Sequence, residues 1–281
     1  MAATRPRAGR VTRSVAVNTL LAVGALVMLV PFVWMVLSSL KGFSEVFAYP
    51  PKWLPHPAQW GNYVEAWQAV PFGRAYFNSV YLALVIVAMQ LLTCAMAAYA
   101  FARLRFRGNN VLFLLFLATM MVPGQLTIIP VFLIMSKIGL YDSHWSIILP
   151  HGLFSAFGVF LLRQFIRGIP MELEDAALID GAGRWRVFWS IVMPLLRAPL
   201  AALGVFTFVS QWNNFYGPLI LLSSPEKFTV PVLIAQFKGE YITNLPLLMA
   251  AASLAVVPVL IIFVVAQRHI INGMTLTGAG K

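Results

Sequence analysis

Residues 169–195 read IPMELEDAALIDGAGRWRVFWSIVMPL, a polar, punctuated stretch between two long apolar runs. Ile169-Pro170 reads as a helix start, where the missing N–H of proline costs no hydrogen bond. Glu172, Glu174 and Asp175 then fall in the first turns, where carboxylates complement the positive helix end. Leu173, Ala176 and Ala177 share one face, and the alanines leave that face low enough for another surface to approach closely. Asp180-Gly181 and Gly183 read as a stop, because glycine takes a left-handed conformation freely. A second short helix follows. Its apolar stripe is Trp185, Phe188, Trp189 and Val192, opposed by Arg184, Arg186 and Ser190, and Pro194 is expected to end it. The stretch is thus a helix, a glycine turn and an amphipathic helix. Two readings stay open at this level: a loop whose stripe lies on a bilayer surface, or a docking site for a partner.

The rest of the chain sets the context. Of 281 residues, 60% are hydrophobic and 10% charged, with mean hydropathy +0.82. Soluble domains carry about 25% charged residues, so the chain is expected to be an all-α, polytopic membrane protein. Six apolar runs reach the length of about 20 residues that a bilayer requires: 15–40, 76–102, 111–136, 145–162, 199–222 and 247–266. Residues 15–268 are expected to form one six-helix transmembrane domain, after a basic N-terminal segment at 1–14 and before a tail at 269–281. Pro31, Pro123, Pro130 and Pro258 lie within runs and imply kinked or broken helices. The basic N-terminus with its apolar run is too long for a secretory signal core and reads as an uncleaved first span.

An even number of spans puts both termini on one side. Of the 20 lysines and arginines, only Lys41, Lys52, Arg74, Lys137, Lys227 and Lys238 fall on the opposite side. The positive-inside rule assigns the richer side to the cytoplasm, and with it both termini and the 169–195 loop. The net charge of +11 is then a matter of topology and not of nucleic-acid binding. Cys94, the single cysteine, lies in an apolar run, which excludes an internal disulfide and any Cys-x-x-Cys site. None of the six cores holds Asp, Glu, Lys or Arg. A central charge costs ~2.5–3.5 kcal/mol on insertion scales, so charges are kept where function needs them. Their absence argues against a proton-coupled pump and against an intramembrane hydrolase. His151, in the outer part of the fourth run, reads as hydrogen-bonded structure and not as a proton site.

Uncharged polarity remains. The fifth run holds Gln211, Trp212, Asn213 and Asn214. On a continuous helix Gln211 and Asn214 share nearly one face and Asn213 points elsewhere. Buried amides demand partners, so they are either glue between helices or the lining of a substrate pathway. The outside loop at 41–75 carries Pro50, Pro51, Pro55 and Pro57 among Tyr49, Trp53, Trp60, Tyr63 and Trp67, which reads as an interfacial aromatic belt with stiff turns or as a docking surface for an external partner. The Gly280-Lys281 ending has Thr275 where a P-loop has its first glycine, and no Ser or Thr follows. No ATP site is therefore expected in this chain.

The same residues resemble a known family. Asp175-Ala176-Ala177, Gly181, Ile191 and Met193-Pro194 match the EAA loop of permease subunits of bacterial binding-protein-dependent ABC importers. That pattern runs Glu-Ala-Ala, three residues, Gly, nine residues, Ile, one residue, Leu-Pro. Asp175 stands for the usual Glu and Met193 for the usual Leu. Glu172, Leu173, Ile179, Asp180 and Ala182 extend the likeness to the maltose-type sugar permeases. Gly61-Asn62-Tyr63, Asn78-Ser79, Met121-Val122-Pro123 and Trp212-Asn213 also resemble recurring points of that group.

The resemblance implies a multi-pass subunit of the bacterial inner membrane that imports a carbohydrate delivered by an external binding protein. It implies two ATPase subunits, which bind the ATP, and a second, different permease. It assigns ATPase coupling to Glu172, Asp175, Ala176, Ala177, Asp180, Gly181 and Ala182. Its Trp-Asn pair at Trp212-Asn213 favours the pathway reading of Gln211, Asn213 and Asn214, and it sets the binding protein against the last outside loop at 223–246. No cofactor or metal of its own is implied. The rival readings are a stand-alone channel or facilitator, a membrane scaffold, and an importer of a polyol or glycerol phosphate.

Overall fold

The computed structural model describes residues 8–153, 155–240 and 244–278. Arg5 and Arg7, positions 241–243 of the last outside loop, and the Gly280-Lys281 ending lie outside the described residues. Among the described residues every regular element is helical. In chain order the helices are α1 (Ala8–Ser39), α2 (Phe43–Val46), α3 (Gly61–Ala69), α4 (Phe72–Arg103), α5 (Asn109–Ala118), α6 (Ile128–Lys137), α7 (Trp145–Leu153) and α8 (Ala156–Arg167). They continue as α9 (Met171–Ile179), α10 (Arg184–Val187), α11 (Met193–Leu195), α12 (Arg197–Trp212), α13 (Tyr216–Leu221), α14 (Val230–Glu240) and α15 (Leu245–Gly278).

Four helical stretches are long and apolar enough to cross a membrane: Ser14–Ser39, Phe72–Arg103, Trp145–Arg167 and Leu245–Val265. Two bent pairs raise the number to as many as six. They are Asn109–Met121 with Gly124–Lys137, at 96°, and Arg184–Leu195 with Arg197–Trp212, at 75°. The 75° bend at Leu196 precedes the run expected at 199–222, but neither the run at 111–136 nor that one is a single straight helix. The first breaks at Val122 (ψ 117°) and Pro123 (ψ 128°): proline drives its predecessor out of the helical region and offers no N–H. The second stops at Trp212 and restarts at Tyr216. There the Asn213 amide donates to Val209 O and the Asn214 oxygen accepts from Gly217 N, local bonds that compete with the helix ladder. Pro31 and Pro258 lie inside helices that continue past them.

The residues group into two compact units, 1–69 with 237–254 and 70–236 with 255–281. In the first, the loop after α1 folds back on the helix end. Asn62 Nδ2 donates to Ser39 O at 2.7 Å and Lys41 O at 3.0 Å, and Tyr63 OH pairs with Ser39 Oγ at 2.8 Å. These bonds satisfy carbonyls that a helix C-terminus leaves open and give Gly61-Asn62-Tyr63 a structural role. Lys41 is buried with its ammonium on Lys52 O and over the Trp34 ring. Tyr49, Trp53, Trp60 and Trp67 stay exposed, as an interfacial belt requires.

The second unit is built around α4. Its buried face repeats every three or four residues through Ala75, Asn78, Leu82, Ile86, Gln90, Cys94 and Ala98, with Tyr99 buried beside the last. Alanines and a facing glycine let helices meet closely there: a Cβ on Gly158 of α8 would lie 2.7 Å from Cys94 Sγ. The core then passes through Val159, Leu162 and Ile166 of α8 to Val187, Phe188 and Val192 of the 169–195 stretch and Leu203 of α12. Between α7 and α8 the helix restarts at Ser155, whose hydroxyl accepts from Gly158 N. Thr93 of α4 donates to Gly152 O at this interruption.

Candidate functional site: the 169–195 loop and a polar cavity

The loop has the expected form at its start. Pro170 precedes α9, and Glu172 and Glu174 lie in its first turn. The stop is built as the glycine pattern predicts. Gly181 has φ +83°, Gly181 N donates to Leu178 O and Ala182 N donates to Ala177 O, the paired bonds of a Schellman turn. Glu172, Leu173, Asp175, Ala176, Ile179, Asp180 and Gly181 are exposed, and Ala177 and Ala182 are half-buried. Leu173 and Ala176 thus share the outer face, whereas Ala177 turns toward the core and not with them. A depression of about 360 Å³ beside this face is lined by Ala177, Asp180, Ala182, Arg186, Val187, Ser190 and Ile191.

Two expectations for the second helix are corrected. Pro194 does not end it, since the helical path continues to Leu195 and bends only at Leu196. A wide π turn at Phe188–Val192 precedes the proline, and such a turn relaxes the contact between the proline ring and the preceding turn. The expected stripe is also divided between core and surface. Val187, Phe188 and Val192 are buried, while Trp185 and Trp189 remain exposed; Trp185 stacks on Phe188 at 5.7 Å and Trp189 meets it edge to face at 5.2 Å.

The residue that reasoning from sequence missed is Glu174. Its side chain is 3% exposed and accepts from Arg103 Nε at 2.6 Å and from Tyr99 OH at 3.3 Å. The Arg103 guanidinium also donates to Ile169 O at 2.6 Å. The end of α4 is thereby tied to the start of α9. One sequence signal pointed here: Glu174 stands three and four positions before Ala177 and Leu178, on the inward face of the helix.

The second feature is a cavity of about 580 Å³. Gln211, Asn213 and Asn214 all line it, together with Gln125, Thr127, Ser146, His151, Ser210, Phe215 and Tyr216. Asn213 was expected to point away. It joins the lining because the helix has already ended at Trp212. Asn214 Nδ2 donates to Gln211 Oε1 at 3.2 Å and reaches His151 Nε2 at 3.3 Å. An amide nitrogen only donates, so that ring nitrogen accepts. His151 is hydrogen-bonded structure, as expected. The amides serve as internal partners and as cavity wall at once.

Outside the candidate spans, Asp142 holds the segment after α13. Its carboxylate accepts from Ser223 N at 2.9 Å, Ser224 N at 3.0 Å, the Ser224 hydroxyl and Lys227 Nζ at 2.8 Å. Lys227 and then Ser224 hold this carboxyl well below the usual carboxylate range. Asn78 donates to Glu226 O and Phe228 O, and Ser79 Oγ accepts from Val230 N. Asn78-Ser79 thus clasps the same segment to the first turns of α4.

Helical stretches of membrane-spanning length, among them broken ones, define an all-α polytopic membrane protein. The chain belongs to the family described as the binding-protein-dependent transport system inner membrane component, whose model matches residues 90–276. It is 36% identical over 93% of its length to a putative ABC transporter permease protein ORF2 of Caldicellulosiruptor, covering 94% of that protein. It is 38% identical to the arabinooligosaccharides transport system permease protein AraQ of Halalkalibacterium halodurans, over 72% of each chain. Its structure is similar to a chain of a bacterial ABC transporter involved in the import of the acidic polysaccharide alginate, with TM-score 0.79 and 25% identity. That likeness covers 95% of this chain and 99% of the other.

Proposed function

We propose that this chain is one of two different permease subunits of an ATP-driven importer for a carbohydrate delivered by an external binding protein. Two ATPase subunits bind the ATP and dock on the 169–195 loop, which faces the cytoplasm together with both termini. The observation that carries this reading is the outer face of α9. It is exposed, it is low at Ala176, it carries Glu172, Asp175 and Asp180, and it is tied through Glu174 to the long helix α4. Glu172, Asp175 and Asp180 offer charge to a docked surface, Ala176 on the face and Ala177 and Ala182 in the depression beside it permit its approach, and Gly181 sets the turn.

In this cycle ATP closes the ATPase pair and α9 moves with it. The Arg103–Glu174 pair passes that movement to α4. ATP drives the change only through its different affinity for the two states. The cavity at Gln211, Asn213 and Asn214 supplies amides, hydroxyls and the Phe215 and Tyr216 rings to sugar hydroxyls and faces. Among its lining residues there is no Lys or Arg, so a solute carrying phosphate or carboxylate would take its cation from the partner permease.

A mild-detergent pull-down of the full chain from its host is the test. An ATPase, a second permease and a binding protein are expected to co-elute. The chain eluting alone, under conditions that preserve other membrane complexes, overturns the importer reading in favour of a facilitator. In the assembled complex Asn214→Ala should alter uptake kinetics without loss of subunits, and unchanged kinetics would remove the cavity from the pathway.

A further inference from the structure

A concave basin of about 740 Å³ lies at the 101–110 turn, completed by Arg167 and Met171. Three candidate spans have ends there: Phe72–Arg103 and Trp145–Arg167 finish at it and Asn109–Met121 begins at it. The basin therefore lies at one end of helices of membrane-spanning length. The arginines of this region fall into two classes. Arg103 is neutralised by Glu174. Arg163 is buried, with Nε on Phe101 O at 3.2 Å and its guanidinium 3.8 Å from the centre of the Phe113 ring. Arg105, Arg107 and Arg167 are exposed. The ion pairs among the described residues, Arg103–Glu174 and Lys227–Asp142, use none of these three. Phe106 and Met171, at the same basin, are exposed apolar side chains. Topology alone asks only for positive charge on one side. It does not ask for three free guanidiniums around one concavity with apolar groups among them.

We propose that this basin binds the phosphate of an anionic phospholipid headgroup. Arg105, Arg107 and Arg167 hold the phosphate oxygens, for which guanidinium forks are suited, and Phe106 and Met171 meet the start of the acyl chains. A free phosphate shares the first chemistry and lacks the second. The inference rests on the membrane-spanning helices and shares only Met171, at the start of α9, with the loop proposed for coupling; lipid retention is read on the chain without ATPase subunits.

Native mass spectrometry of the full chain in neutral detergent tests it, with dioleoyl phosphatidylglycerol, dioleoyl phosphatidylcholine and inorganic phosphate as probes. Phosphatidylglycerol is expected to be retained over phosphatidylcholine. The R105Q/R107Q/R167Q variant should bind it about 100-fold more weakly, about 5-fold for each arginine. The charge-conserving R105K/R107K/R167K variant should stay within about 10-fold of wild type. Equal retention by wild type and the glutamine variant overturns the proposal. So does displacement of the lipid by equimolar inorganic phosphate, which would make the basin a site for free anions. Lipid retention unchanged with loss of co-purifying subunits would assign the basin to a protein partner and also overturn it. Should the triple glutamine variant not elute as a folded species, Arg107→Gln alone carries the same reading at about 5-fold.

Discussion

Glu174 and Arg103 stand 71 positions apart and meet at 2.6 Å, with side chains 3% and 6% exposed. Removing one member of a buried pair leaves the other charge without compensation and costs about 3–5 kcal/mol. Glu174→Gln should lower the thermal unfolding temperature in detergent accordingly. The R103M/E174M double replacement buries no charge and should recover much of the loss. A double variant as unstable as the sum of the two single ones would show that the pair is not coupled. Asp142 makes a different prediction. Its carboxyl is depressed, so its contribution is fully present above the ordinary unfolded value of about 3.9 and is lost as pH falls through the lower folded value. The Ser223 and Ser224 amides should keep their hydrogen-exchange protection, corrected for intrinsic rates, from pH 7 down to about pH 4. Asp142→Asn should lose part of it already at pH 7. Protection that fades between pH 7 and pH 5 would contradict the assignment.

At the scale of elements, α4 and α9 matter most. Thirty-two residues at about 1.5 Å each make α4 about 48 Å long, more than the hydrocarbon thickness of about 30 Å. It carries the Asn78-Ser79 clasp near one end and Arg103 at the other. A single helix thereby joins the segment at 226–230 to the 169–195 loop. The angle between α9 and α10 depends on Gly181 at φ +83°, where an added Cβ meets no neighbour within 4 Å. A side chain there is opposed by backbone strain alone, about 1–2 kcal/mol, and more for a β-branched residue. Gly181→Val should therefore leave the fold standing while shifting the turn. In reconstituted vesicles it should raise the ATP hydrolysed per solute imported, and an unchanged ratio would remove the turn from coupling.

For the molecule as a whole, sequence and tertiary structure decided different things. Composition and the length of the apolar runs determined an all-α membrane chain, because a bilayer admits few alternatives to a helix whose backbone bonds close within itself. The Pro170 start, the first-turn carboxylates and the Gly181 stop were legible for the same reason: local conformational limits act within a few residues. The EAA-type spacing, itself local, carried the family. Continuity was not legible. The 111–136 run divides at Val122-Pro123, and the 199–222 run divides where Asn213 and Asn214 bond their own backbone neighbours. Hydropathy averages over such breaks and does not register them. Nor could the sequence assign Glu174 its partner, show Asn78-Ser79 as a clasp, or bring Asn213 into the cavity wall. Those outcomes rest on side chains far apart in the chain that meet only after the helices pack, and the cost of burying an unpaired polar group selects the arrangement in which they do.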